Sequence, residues 1–359
     1  MSNTPVHQPR LRWDSGTAYD FFISLYVLHH PSIFGLRPSW AAGVRSRLPA
    51  AAREVLEDAI SFFGAPLNWL HSLPAPKTSR SALDGLAALP AADRLPALMK
   101  VGVEKPEWND ILMRIAADGK FSPADVEAVA ALNPWRLSPP KPEMAQKLCT
   151  AFTRLAETGD QILEALELYR QAFFAEEEQR IQPHLEAALQ TAQSQSQSLP
   201  ADRLLAELSH GVRFTALPDM RELVLAPSFW STPLVFYREI SPQVTLVVFG
   251  ARPADVALVP GEQVPELLVN GLKALADPTR LRILRYLASQ PLTPAQLASR
   301  LRLRPPTVIH HLRELRLAGM VEITLQADGE RRYTANPGSV ELIFNRLGAF
   351  LTSEDEPAA

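Results

Sequence analysis

Apolar residues recur at 3.6-residue spacing along much of the first 193 positions, and prolines cut the pattern into short pieces. A residue before proline leaves the helical region, while proline itself is well suited to the first helical position. The spacing therefore predicts helices over 18–29, 38–48, 51–63, 81–89, 91–99, 107–116 and 123–132. After the PWRLSPPKP break a longer helical pattern runs from Pro142 to about Gln193, interrupted near Thr158 and Gly159. Its apolar stripe contains Ile162, Ala165, Leu166, Tyr169, Ala172 and Phe173. The polar QTAQSQSQSLP segment reads as a frayed helix end or a loop. The period then shortens: RELVLAP, PLVFYREI and VTLVVFG predict three or four antiparallel strands near 212–250, with VRFT as a first partner. GARPADVALVPGEQVP, with three prolines and little periodicity, marks a domain boundary near 251–265.

Beyond the boundary, helices are expected over 265–276, 278–288, 293–301, 305–318 and 339–351. Two short strands, 321–325 and 331–335, are joined at Ala327-Asp328-Gly329. On a helical wheel of the 305–318 segment, Val308, Leu312 and Leu315 share one side with His311 at its margin. Pro306, His310, Arg313 and Leu317 fall opposite, flanked by Thr307 and Ile309. One face packs and the other is presented outward. The preceding helix carries Leu297 and Leu301 and is linked to this one by the short turn Arg302-Leu303-Arg304, which makes a helix-turn-helix whose second member fits a major groove. Pro305-Pro306 presets its start and Ala318-Gly319 suits a glycine C-cap. The fold class is mainly α with small β. A multi-helical domain with a short antiparallel sheet spans 1–255, and a C-terminal winged helix-turn-helix spans 265–359.

Charge sharpens this division. Within 271–336 there are eleven bases and five acids, a local net of +6, whereas the whole chain is −3, leaving −9 for the remainder. A basic module is joined to an acidic one, and the arginines beside the turn and on the hairpin suit phosphate neutralisation.

The residues LKALADPTRLRILRYL, LTPAQLASRLRLRPPTVIHHLRELRLAGMVEI and ADGERRYTAN closely resemble the winged helix-turn-helix of the ArsR/SmtB family of bacterial transcriptional repressors. The likeness covers roughly the last quarter of the chain. It departs from the family at Ile309, where a polar serine is frequent; isoleucine can touch a thymine methyl but cannot donate a hydrogen bond. The resemblance implies a homodimer on double-stranded operator DNA. Thr307, Ile309, His310 and Arg313 would lie near bases or adjacent phosphates, Arg331 and Arg332 would grip the backbone from the wing, and Arg280, Arg302 and Arg304 would contact phosphates. It also makes the terminal helix, with Val340, Ile343, Phe344, Leu347 and Phe350 at helical spacing, the dimer element.

Other chemistry finds little support. A single cysteine, Cys149, cannot form an intrachain disulfide or a thiolate cluster, and it reads as a packed thiol in a reducing cytoplasm. The metal-sensing positions of the family, a Cys-x-Cys near the recognition unit or Asp and His on the last helix, have no counterpart here, so neither a metal nor another cofactor is expected. FFISLYVL is too short for a membrane span and reads as a core helix. No G-x-S-x-G, P-loop, G-x-G-x-x-G or H-E-x-x-H occurs, and the chain is not expected to be an enzyme. All six tryptophans lie before the boundary; most are expected in the core, with lining of a small-molecule cavity as the alternative. The sequence thus predicts a cytoplasmic, dimeric, DNA-binding repressor of ArsR type controlled by a signal at its N-terminal domain. The rival readings are a winged helix used for protein contacts and an N-terminal enzyme regulated by the winged helix.

Overall fold

A computed structural model describes residues 8–100, 106–132, 142–215, 217–259, 264–326 and 329–352. In chain order the helices are α1 (Thr17–His29), α2 (Pro38–Arg45), α3 (Ala50–Phe63), α4 (Leu67–Ser72), α5 (Ser79–Ala87), α6 (Ala91–Met99), α7 (Pro106–Asp118), α8 (Pro123–Leu132), α9 (Pro142–Thr153), α10 (Leu155–Tyr169), α11 (Ala175–Gln195), α12 (Ala201–Leu208), α13 (Glu266–Leu275), α14 (Pro278–Ser289), α15 (Pro294–Leu301), α16 (Pro305–Leu317) and α17 (Ser339–Thr352). The strands are β1 (Arg10–Trp13), β2 (Val212–Phe214), β3 (Glu222–Ser228), β4 (Phe236–Ser241), β5 (Val244–Gly250), β6 (Val321–Leu325) and β7 (Arg331–Ala335). The fold is mainly helical with small sheets, and the elements from α13 onward have winged helix-turn-helix order.

Helix α1 is apolar around its circumference and so lies inside, with Phe21, Phe22 and Ile23 fully buried. The long pattern after Pro142 breaks at Arg154, between α9 and α10, rather than at Thr158-Gly159. Gly159 sits inside α10, where it allows α10 to approach the start of α6. A π-helical turn, Arg170–Phe174, precedes α11. The glutamine-serine segment stays helical to Gln195, and Pro200 caps α12, a short helix that the polar run before it does not predict. The PWRLSPPKP break lies outside the described residues except for its final proline.

The first sheet has the order β1-β3-β5-β4, with β1, β3 and β5 parallel and β4 antiparallel to β5. The expected antiparallel sheet is therefore corrected. Only the β4–β5 hairpin is antiparallel, VRFT is not a member, and the N-terminal strand RLRW is. The physical reason lies in the near-continuous apolar runs of β3 and β5, which suit strands covered on both faces. Val224, Ala226, Leu246 and Val248 face the core around α1, whereas Leu223, Leu225, Val247 and Phe249 face Leu204 and Leu205 of α12.

Where β3 ends, it is tied to α1. The fully buried Asp20 carboxylate accepts from Ser228 Oγ at 2.7 Å, Trp230 N at 2.8 Å and Phe229 N at 3.3 Å. Burial raises its pKa to about 7, well above the ordinary carboxylate range, in spite of these three donors. Because the folded value is the higher one, the native state holds the extra proton, and this group's contribution to stability is lost as pH rises from about 4 through about 7. Asp20→Asn is expected to flatten that dependence and to lower stability at acidic pH. Chemical denaturation across pH 4–8 tests this; an unaltered pH profile in the variant would count against it.

The second core is built by α13 to α17 and the β6–β7 hairpin, from residues that include Ile283, Leu297, Val308, Leu312, Leu315 and Val321. Leu292 bridges Tyr333 on the outer edge of β7. The opposite edge, on β6, is occupied by β2, which pairs parallel through Val212↔Ile323, Arg213↔Thr324 and Phe214↔Leu325. VRFT thus extends the wing sheet instead of the first sheet. The expected boundary stretch is also anchored: Arg252, with a nearly buried side chain, lies 3.0 Å from Glu266 at the start of α13, and that carboxylate accepts from Leu258 N and Val259 N.

Candidate nucleic-acid interface

Thr293 opens α15 with a reciprocal cap: its hydroxyl accepts from Gln296 N, and the Gln296 side chain accepts from Thr293 N. The helix ends where Arg302 adopts a left-handed conformation, φ 56°. Arg304 and Pro305-Pro306 then start α16 in a new direction. Val308, Leu312 and Leu315 fill the core behind this helix. The opposite side leaves Thr307, Ile309 and His310 exposed, Ile309 by 54%. An isoleucine so exposed has no partner within the fold, and the transfer cost of leaving it wet favours contact with an apolar group elsewhere. Arg302 and Arg304 are exposed at the N-terminal end of the same surface. Arg313 donates to His310 Nδ1 at 2.9 Å, so these two side chains form one unit.

Other predicted site residues are placed differently. Arg280 is largely buried, with its guanidinium 3.7 Å from both Asp277 and Glu314, and it ties α14 to α16 instead of standing open to a phosphate. His311 is directed toward Asp277 at 4.0 Å, and burial lowers its pKa. Arg332 is half exposed and pairs with Glu330 at 3.0 Å. Arg331 is exposed, shares a strand face with the buried Tyr333, and also borders a cleft lined by Tyr26, Phe34 and Phe236. The wing residues Ala327 and Asp328 lie outside the described residues.

The wheel's outward face is corrected at its C-terminal end. Leu317 is 1% exposed, and its neighbour Arg316 is also buried. Arg316 donates to the carbonyls of Ser209, at 2.6 Å, and His210, just after α12. Burial lowers its pKa to about 10, so it remains cationic at neutral pH. Nothing in the 305–318 pattern distinguishes this arginine from a solvated one; its partners are backbone atoms about a hundred positions earlier in the chain.

Residues 277–322, from the N-cap of α14 into β6, match a family model described as bacterial regulatory protein, arsR family. This segment is an ArsR-type helix-turn-helix. The match leaves the N-terminal region unclassified, and no curated protein and no solved structure matches the chain. The ArsR-type unit belongs to DNA-binding transcription regulation. No described helix is long and apolar enough to cross a membrane, and no group of three or more metal-ligating side chains is assembled among the described residues.

Proposed function

We propose that this chain is a sequence-specific transcriptional repressor that binds operator DNA as a cytoplasmic homodimer, has no catalytic role and takes a signal through its N-terminal domain. The observation that carries this reading is the outward face of α16. Thr307, Ile309 and His310 lie beside Arg302 and Arg304, within the ArsR-type segment, on a helix whose other side is core. The dimer is supported by α17, whose Ile343 packs inward on Gly271 while Val340, Phe344 and Leu351 remain exposed along one side as an apolar strip that a second copy would cover. Signal transmission is supported by β2 and Arg316. A displacement of α12 and β2 would carry both the wing and the recognition helix, altering their spacing from those of a partner. Affinity would change by the differential binding free energy of the two arrangements.

Charge and readout make separable predictions. Arg302→Ala combined with Arg304→Ala is expected to weaken binding to all DNA sequences and to reduce the slope of log affinity against log salt by about two. His310→Ala is expected to relax preference at one or two base pairs and leave that slope nearly unchanged. Fluorescence anisotropy with DNA from upstream of the protein's own gene, over a salt series, measures both. Wild-type affinity and preference in the two variants together would refute the interface.

A further inference from the structure

The exposed start of α16 carries little hydrogen-bonding capacity. The side chains of Pro305, Pro306 and Ile309 have none, which leaves Thr307, His310 and Arg313 to make polar contacts from this face of the helix. His310 is held in one arrangement. Arg313 Nη2 lies 2.9 Å from His310 Nδ1, and a guanidinium nitrogen only donates, so Nδ1 is the accepting nitrogen. In a neutral imidazole the other ring nitrogen then carries the hydrogen, and this Nε2–H has no hydrogen-bond partner among the described residues. Arg313 is itself steadied from behind: its Nε lies 3.6 Å from Glu314, whose carboxylate is 3.7 Å from the largely buried Arg280 of α14. The series Arg280, Glu314, Arg313, His310 thus runs from α14 to the outward face of α16 and ends in a hydrogen-bond donor.

We propose that α16 reads two adjoining base pairs by different means: Ile309 covers the C5-methyl group of a thymine, and His310 donates from Nε2–H to N7 of a guanine, with Arg313 as the positioning residue that selects the donor tautomer. In a major groove such a donor is accepted by a purine N7, by guanine O6 or by thymine O4, but not by cytosine, whose edge there is an amino donor. Guanine fits best. It alone sets two acceptors side by side, whereas adenine places an amino donor next to N7, against which a donor flanked by a guanidinium would collide. Ile309 has no group to pair with a base edge, and its 54% exposed side chain leaves water favourably only against another apolar group, which among the bases is the thymine methyl. The two residues are consecutive, about 1.5 Å apart along the helix axis against about 3.4 Å per base pair, so their targets adjoin. This deepens the proposed function by naming the bases read, and it rests on the reading that α16 enters a major groove.

The probe is a duplex enriched from a random-sequence library by repeated binding to the full chain. Deoxyuridine then replaces each thymine in turn and 7-deazaguanine each guanine; both keep Watson–Crick pairing and remove only the methyl or the N7 acceptor. At one thymine of a half-site, loss of the methyl should weaken wild-type binding about fourfold, the worth of one buried methyl group, and leave Ile309→Ala unaffected. At an adjoining guanine, 7-deazaguanine should weaken wild-type binding about fivefold and leave His310→Ala unaffected. Imidazole-nitrogen NMR reads the tautomer directly, through the signal that His310→Ala removes. Arg313→Met should convert it from the single Nε2–H form to a mixture, which lost packing alone would not do. Wild-type binding indifferent to every uracil, or to every 7-deazaguanine, overturns this readout and leaves the repressor reading standing. An unchanged tautomer in Arg313→Met removes Arg313 from the positioning role. Failure to enrich any duplex overturns the repressor reading itself, and the readout with it.

Discussion

Arg316→Met is expected to destabilise the winged-helix part by about 3 kcal/mol and to separate its unfolding from that of the N-terminal region. Two opposing effects are involved. Taking a guanidinium out of water is costly, and replacing a buried ion by an apolar side chain of similar length can be neutral or favourable when its partner is replaced as well. Here the partners are main-chain carbonyls, those of Ser209 and His210, which no side-chain substitution removes. Methionine retains much of the packing but leaves these acceptors without a donor, and an unsatisfied buried acceptor costs about 1–3 kcal/mol. The loss of the donor therefore outweighs the relief of desolvation.

The distribution of tryptophan makes this measurable. Trp13, Trp40, Trp69, Trp108, Trp135 and Trp230 all precede the winged helix, which contains none. Tryptophan emission thus follows the N-terminal region alone, while far-ultraviolet ellipticity follows both. In the wild type, the β2–β6 ladder and the Arg316 contacts couple the two, so the urea midpoints from both probes should coincide. In Arg316→Met the ellipticity curve should begin at lower urea than the emission curve. Coincident midpoints at the wild-type concentration would show that Arg316 does not join the two parts.

Gly159→Ala is expected to destabilise the protein by about 2 kcal/mol, contrary to its helix propensity. In an open helix this exchange gains roughly 1 kcal/mol. At position 159 of α10 the added Cβ would lie 1.9 Å from the carbonyl oxygen of Ala91 and 2.9 Å from its carbon. Both are backbone atoms at the first turn of α6, so relief requires one helix to move away from the other. Overpacking of this kind costs about 1–3 kcal/mol or more, enough to cancel the propensity gain and reverse the sign. Gly43→Ala, on the exposed side of α2 with nothing within 4 Å of the new Cβ, should instead be neutral or stabilising. Denaturant midpoints of the two variants that move in the same direction would contradict this.

Sequence legibility was uneven for physical reasons. From Pro265 onward, start and stop signals are local: Pro278, Pro294 and Pro305 each stand at a first helical position, and Gly319, with φ 68°, follows α16. The strands 321–325 and 331–335 occur where alternation predicts them. The inward trio Val308, Leu312 and Leu315, and the exposed Thr307, Ile309 and His310, follow from 3.6-residue geometry alone. The limit is reached at Leu317 and Arg316. A wheel assigns positions to sides but does not say how much of the circumference a neighbouring segment will cover, and here the end of α12 covers one more strip.

The sequence by itself determined the helical class, the helix-turn-helix with its hairpin, and the surplus of positive charge in that unit, because each depends on residues within a few turns of one another. Tertiary structure alone decided that RLRW and VRFT enter different sheets, that Arg316 grips a distant backbone, that Arg280 is neutralised by Asp277 and Glu314, and that Arg331 borders an aromatic cleft. Periodicity records that a side chain leaves water but not what it leaves water for. Strand pairing across some two hundred positions, as between Arg10 and Glu222, and the partner of a buried cation are settled only when separate segments compete for the same hydrogen bonds and the same space.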